Sequence, residues 1–283
     1  VTNDQLAQRL LYTIQNNRTD GAGQIARDAL SGLADFCSQA HLTEGDIQQA
    51  CRLARQLQRT RPSMAPLQQL LGTWLRSVEQ DGLSLAQAAA QAMQLVQYSH
   101  EAVAHSACAM AQRIKPGSVV MTHSWSSTIR ELFCLLSQQP CQAIVTESRP
   151  GYEGHKMAEL MSELAIPCRL ITEAQMGIWL EEADVAVIGA DMLLEDGSVV
   201  NKSGSFLLAL AAKALNKPFY VCCETFKRVD LLPSMVELEQ HNGGELGAPT
   251  LAHVEIKNQY FEVIPVSLIT EVVTERVTPQ AQS

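Results

Sequence analysis

The spacing of apolar residues divides the chain near residue 113. Before that point the spacing is helical. Asp4 to Gln15 sets Leu6, Leu10, Leu11 and Ile14 on one face, and Gly23 to Leu33 is a small-residue apolar segment. Thr43, with Glu44 in the first turn, predicts a helix start, and that helix runs through Arg59. Pro66 to Val78 is another helix. Ser84 is placed to cap a long alanine-rich one reaching about Ile114, with no Pro or Gly inside it.

From Lys115 the rhythm becomes strand, loop, helix. Apolar runs begin at Ser118, Gln142, Cys168, Asp184 and Phe219, and a sixth candidate is Phe261 to Ile264. These runs are short, β-branched and not alternating, as expected of strands covered on both faces. Helical segments at Ile129–Leu136, Lys156–Leu164 and Phe206–Leu215 separate them. The predicted fold class is α/β: a Rossmann-like doubly wound parallel sheet over residues 113–283, after an N-terminal helical domain over 1–112. The stretch from Leu231 to Thr250, with Gly243-Gly244, is the candidate for a mobile excursion.

Composition narrows the function. Of 283 residues, 46% are hydrophobic and 18% charged, enough to bury a sizeable core. A formal net charge of −9 argues against direct nucleic-acid binding, so an anionic ligand must be held by a local cluster of donors. Eight cysteines, mostly within apolar runs and without metal-binding spacing, read as small buried hydrophobes of a reducing compartment. No metal and no cofactor is expected. The opening Val1-Thr2-Asn3-Asp4 lacks a signal-peptide core and no apolar run is long enough for a membrane span, which predicts a cytoplasmic protein.

In open parallel sheets ligands bind beyond the carboxyl ends of the strands, and here those ends are followed by polar residues. The first strand leads into Thr122-His123-Ser124-Trp125-Ser126-Ser127-Thr128, and the second into Thr146-Glu147-Ser148-Arg149. The fourth delivers Gly189-Ala190-Asp191, followed after a turn by Asn201-Lys202-Ser203-Gly204-Ser205 in a polar loop, and the fifth ends in Glu224-Thr225-Phe226-Lys227. Ser126, Ser127 and Thr128 open a helix, either as plain caps or as a phosphate site. Lys202 and Lys227 can neutralise the same anion or be solvated. Arg149 can hold substrate or pair with Glu147, and His123 can satisfy a turn or touch ligand. Asp191, after two small residues, can shuttle protons or cap a turn.

Taken in order, Thr122-His123, Thr146-Glu147-Ser148-Arg149-Pro150, Gly189-Ala190-Asp191, Val200-Asn201-Lys202-Ser203-Gly204 and Glu224-Thr225-Phe226-Lys227 resemble one superfamily. It contains the alpha, beta and delta subunits of translation initiation factor 2B, ribose-1,5-bisphosphate isomerase and methylthioribose-1-phosphate isomerase. The chain is more similar to the first two. Gly21-Ala22-Gly23, Arg61-Pro62-Ser63 and Tyr260 to Pro265 resemble its terminal motifs, so the likeness covers nearly the whole chain. The resemblance implies a ligand in a cleft between two domains and dimers, or larger homo-oligomers, formed through the C-terminal domain. It also implies aldose–ketose isomerisation using a cysteine after the first strand and the aspartate of Gly-Ala-Asp. By position Asp191 matches that aspartate. Gly21, Ala22, Gly23, Arg61, Ser126, Ser127, Thr128, Arg149, Asn201, Lys202 and Lys227 fall at or beside the ligand-binding positions.

Two departures separate this chain from the isomerases. Ser124 stands at the place of the cysteine, and a hydroxyl is a far poorer acid than a thiol. The Arg-Gly-Ala phosphate motif reads Asp20-Gly21-Ala22, and Arg18 is two residues early to compensate. The expectation is a factor 2B-like protein that binds a sugar phosphate or nucleoside monophosphate without thiol-dependent chemistry. The alternative is an active aldose–ketose sugar-phosphate isomerase.

Overall fold

In a computed structural model of the chain, residues 2–17, 20–39, 46–62 and 64–276 are described. The chain divides into two compact units, Val1–Glu101 and Ala102–Ser283.

The first unit is helical: α1 (Asn3–Asn16), α2 (Ala22–Cys37), α3 (Ile47–Gln58), α4 (Ala65–Asp81) and the first part of α5 (Leu85–Ala111). Its helices start where the chemistry of caps dictates. Thr2 and Gln5 form a capping box on α1, and Pro66 sits in the first turn of α4, where no N–H is needed. Ser84 and Gln87 box the start of α5 as the sequence predicts. Ile14, Ile25, Leu30, Leu33, Leu53, Leu57, Leu67, Leu71 and Trp74 make the core, and the Trp74 indole donates to the Ala88 carbonyl at 2.8 Å. Arg18, Thr43, Glu44 and Ser63 lie outside the described residues.

The second unit follows the order β1 (Val119–Thr122), α6 (Ser127–Leu136), β2 (Gln142–Thr146), α7 (Glu153–Glu163), β3 (Cys168–Ile171), α8 (Met176–Trp179), β4 (Val185–Ile188), β5 (Met192–Leu193), β6 (Val199–Lys202), α9 (Ser205–Ala214), β7 (Phe219–Cys222), β8 (Phe261–Ile264) and β9 (Glu271–Val273). Six of the strands form one parallel sheet in the order β3-β2-β1-β4-β7-β9. Successive residues serve opposite faces. Val120, Ala143, Val145, Val187 and Cys222 pack with α6, α7 and the end of α5. Met121, Ile144, Ala186, Ile188, Val221 and Cys223 pack with α8 and α9. Each buried valine, isoleucine or methionine among them contributes about 1.5–3 kcal/mol by leaving water, which is why the central strands are apolar. The edge strand β3 leaves Cys168, Arg169 and Leu170 exposed and so departs from the expected two-sided cover.

One strand assignment needs correcting. Phe261–Ile264 is a strand, but it is not the sixth of the parallel sheet; it pairs antiparallel with β6 in a small sheet of order β5-β6-β8. The sixth parallel strand is β9, three residues long. A second correction follows from the small sheet. Asn201 and Lys202 end a buried strand; they do not sit in a polar loop. In the parallel sheet the order reverses between β1 and β4, which opens a crevice at their carboxyl ends.

Candidate functional site

The loop after β1 is built by unusual backbone. Ser124 takes φ +66° and Ser148, after β2, takes +61°; non-glycine residues rarely adopt this left-handed region, which costs of order 1–2 kcal/mol per residue. Hydrogen bonds hold both. The Ser124 N–H donates to Ser148 Oγ at 2.8 Å, and the Ser148 N–H donates to Glu173 Oε1 at 2.6 Å. Between them lies His123, fully enclosed. Its Nε2 is 2.9 Å from the Ser203 carbonyl, which can only accept, so the proton sits on Nε2. Nδ1 then accepts from the Thr146 hydroxyl at 2.6 Å. Burial pulls the His123 pKa down, against the Ser203 carbonyl and Glu173. The imidazole is therefore a neutral brace joining the ends of β1, β2 and β6, which resolves its two sequence readings in favour of the turn.

Glycines let the elements close on one another. A Cβ on Gly189 would lie 2.6 Å from Ser126 Oγ, so the start of α6 rests directly on the end of β4. A Cβ on Gly154, in the first turn of α7, would collide with the Thr146 carbonyl oxygen. Backbone cannot yield there as a flexible side chain could. Gly154→Ala is expected to cost about 2 kcal/mol, read as a lower urea midpoint at unchanged slope. An unchanged midpoint would show that α7 can shift freely away from β2.

The charged residues gather as pairs. Lys227 is buried, with Nζ 2.8 Å from Glu224 Oε2. Burial alone would lower its pKa, but Glu224, Cys223 and Asp191 outweigh that and raise it, so Lys227 remains a cation. Glu224, also buried, accepts from the Thr128 hydroxyl in the first turn of α6. Lys202 is buried too, its Nζ 2.6 Å from Glu153 Oε1 and 4.0 Å above the Tyr260 ring. Neither lysine is a solvated one. Asn201 donates from Nδ2 to Ser205 Oγ at 2.8 Å, and Ser205 Oγ donates to the Lys202 carbonyl. Glu262 accepts the N–H groups of Gly204 and Phe206, so the start of α9 already holds a carboxylate.

The structure thus places Ser124, Ser126, Ser127, Thr128 and Asp191 just beyond the carboxyl ends of β1 and β4, Lys227 beyond that of β7, and Asn201 and Lys202 at the end of the antiparallel strand β6. Ser126 caps α6 by accepting from Ile129 at 3.4 Å, and Thr128 is spent on Glu224. Ser127, half-buried, is the first residue of α6. Asp191 follows β4, half-buried, its N–H donating to the Val200 carbonyl at 2.8 Å. Arg149 does not join them. It is exposed, donates to the Leu246 carbonyl at 2.9 Å and lies 5.2 Å from the Tyr152 ring centroid, so it is engaged elsewhere than with Glu147. In the first unit Gly21 caps α2, with Ala22 and Gly23 buried behind it. Arg61 is buried and donates to the Asn17 carbonyl at 2.7 Å, while Asp20 accepts from the Asn17 amide at 2.9 Å. The α1–α2 turn therefore gathers Asp20 and Arg61 on one residue.

Sequence reasoning places Thr172-Glu173 at the polar end of the third strand, but it gives no role to two other carboxylates, Glu153 and Glu262. Glu153 carried the best signal, an acid in the first turn of a helix. The cysteines nearest the site, Cys222 and Cys223, are buried in the sheet, where burial drives the Cys222 thiol well up and the Cys223 thiol to about 12. Five of the eight cysteines are buried, while Cys108 and Cys168 are exposed.

Comparison with known proteins gives a consistent neighbourhood. Residues 18–277 match the model of the initiation factor 2 subunit family. A translation initiation factor eIF-2B subunit 2-like protein of Pyrococcus horikoshii is 32% identical over 94% of this chain and 93% of its own. A ribose 1,5-bisphosphate isomerase of Archaeoglobus fulgidus is 29% identical over 93% of this chain and 86% of its own. Among solved structures, translation initiation factor eIF-2B of Pyrococcus horikoshii superposes with a TM-score of 0.84 at 31% identity, covering 95% of this chain and 94% of that one. The tetrameric eIF2B beta2-delta2 complex of C. thermophilum shares the fold, with a TM-score of 0.78 at 14% identity over 95% of this chain and 91% of that one.

Proposed function

The chain belongs to the initiation factor 2 subunit family, and we propose that it is a factor 2B-like protein that binds a sugar phosphate or nucleoside monophosphate without thiol-dependent isomerisation. The observation that carries this reading is the state of His123. Ser124 occupies the place of the isomerases' cysteine and needs a base to become a nucleophile or proton acceptor. Its sequence neighbour has both ring nitrogens committed, to Thr146 and to Ser203, and cannot serve. The cysteines at Cys222 and Cys223 are buried and held in the thiol form.

What remains suits recognition. The first-turn N–H groups of α6 lie at the reversal point of the sheet, where an anion is favoured by the helix dipole. Lys227, Lys202 and Asn201 are pre-organised by their partners, and Asp191 supplies an acceptor for a hydroxyl. Calorimetry with ribose 5-phosphate, ribose 1,5-bisphosphate and AMP is expected to give measurable binding, with no turnover of the bisphosphate in a coupled assay. Failure to bind any of the three overturns the reading. The second reading, an active isomerase, draws on the likeness to the Archaeoglobus fulgidus enzyme; turnover lost in Asp191→Asn would establish it.

We also propose that the protein is a cytoplasmic homo-oligomer. Among the described residues no helix is long and apolar enough to cross a membrane. On α9, Leu207 and Leu210 are 58% and 41% exposed on one face, and Ile178 on α8, which packs beside α9, is 67% exposed. Such a patch favours association. Sedimentation is expected to give a dimer or larger species, and Leu207→Glu with Leu210→Glu a smaller one. A wild-type monomer at micromolar concentration would refute the oligomer.

A further inference from the structure

We propose that Glu275 is a positioning residue for the anion site: it grips the turn that carries Lys227, and loss of that grip releases the lysine and weakens ligand binding. The proposal rests on the binding reading above, but one arm of its test does not need a ligand.

Glu275 lies two residues beyond β9. Its carboxylate accepts the Thr225 N–H, at 2.9 Å to Oε2 and 3.2 Å to Oε1, and also accepts the Thr225 hydroxyl. The Ser106 hydroxyl, with one proton to give, lies 3.2 Å from the Cys223 carbonyl and 3.4 Å from Oε2, so its hold on the carboxylate is shared with that carbonyl. Both carboxylate oxygens thus take their shorter hydrogen bonds from one residue of one turn, Thr225. Thr225 begins a single 3-10 turn, Thr225–Lys227, whose own closure is the Lys227 N–H to the Glu224 carbonyl and the Arg228 N–H to the Thr225 carbonyl, each at 3.0 Å. A turn this short has little internal stiffness, so its direction is set by what holds it. Hydrogen bonds to a carboxylate are among the stronger holds available.

The turn carries Lys227 to Glu224, to the field of Asp191 and, through Glu224, to Thr128 on α6. Glu275 therefore acts on the site at one remove. It touches the backbone and hydroxyl of Thr225, and through them fixes where the Lys227 ammonium ends. The glutamate stands beyond the last of the family-like motifs, which ends at Pro265.

The test is lysine acylation followed by mass spectrometry on the full chain, with Lys202 as the buried internal reference. In Glu275→Ala, Lys227 is expected to label roughly tenfold faster while Lys202 is unchanged, because a local turn opens without global unfolding. Equal acceleration at both lysines marks a general structural role and overturns the proposal, as does no change at Lys227. In parallel, ribose 5-phosphate is expected to bind Glu275→Ala roughly tenfold more weakly than wild type, with Glu275→Gln, which keeps an acceptor, between them. Wild-type affinity in a Glu275→Ala protein whose Lys227 labels faster overturns the link to binding. If wild type binds no phosphate, the binding reading fails, and the labelling arm still decides whether Glu275 positions the lysine.

Discussion

Lys227→Met is expected to destabilise the second unit by about 3–5 kcal/mol, the largest loss foreseen for a single side chain. The lysine and Glu224 are both buried and 2.8 Å apart. Removing the cation strands a buried carboxylate, whose remaining support is the Thr128 hydroxyl. The loss is therefore the cost of an unpaired charge far more than of a missing contact. That account makes a second demand. Lys227→Met combined with Glu224→Gln removes both charges and should recover a large part of the stability, since a neutral amide can keep the Thr128 hydrogen bond. Urea unfolding of the two variants tests this. Equal destabilisation in both would mean that packing, not charge, holds the turn.

The same pair marks the boundary of what could be read from the chain before its structure. Most of the parallel strands were readable because they are short apolar runs covered on both faces, and their polar followers could be assigned to one edge by topology alone; β3, at the sheet's edge, is the exception, with Cys168, Arg169 and Leu170 exposed. Asn201 and Lys202 were misplaced in a loop because their polarity suggests one; antiparallel pairing with Phe261–Ile264 overrides that preference. β9 was missed because three residues, one of them glutamate, carry no usable period. The ion pairs lay further out of reach. Lys202 meets Glu153 across 49 positions, and Glu262 reaches α9 across 56. Such partners are set by how strands are ordered, which no local pattern encodes. Lys202 consequently looked like a surface residue; Lys227 looked like one for a different reason, because its partner Glu224 is only three positions away and nothing local shows that both are buried.

His123→Ala is expected to lose about 3–4 kcal/mol at pH 7.5, because it leaves a cavity and removes the donor to the Ser203 carbonyl, while the Thr146 hydroxyl keeps only Ser148 Oγ at 3.2 Å. The imidazole also dictates how wild type answers to acid. Its folded pKa is lowered by burial below the ordinary value of 6.5, despite the carboxylate of Glu173 at 4.0 Å and that of Glu153. Between the two pKa values the unfolded chain binds a proton that the folded chain refuses. Stability contributed by the neutral ring is thus complete above about pH 6.5 and declines as pH falls, by at most about 1.4 kcal/mol per unit, until the folded pKa is reached. Other groups titrate in the same window, so the comparison must be made between variants. His123→Gln can offer an amide N–H to Ser203 and an amide oxygen to Thr146 without titrating. Its stability, measured by urea unfolding from pH 7.5 to 5, should fall less steeply than that of wild type, and the two curves should converge on acidification. Parallel curves would mean that the imidazole takes up its proton as readily in the folded protein as in the unfolded chain. It could then no longer be ruled out as the base for Ser124, and the case for binding without chemistry would lose the observation on which it stands.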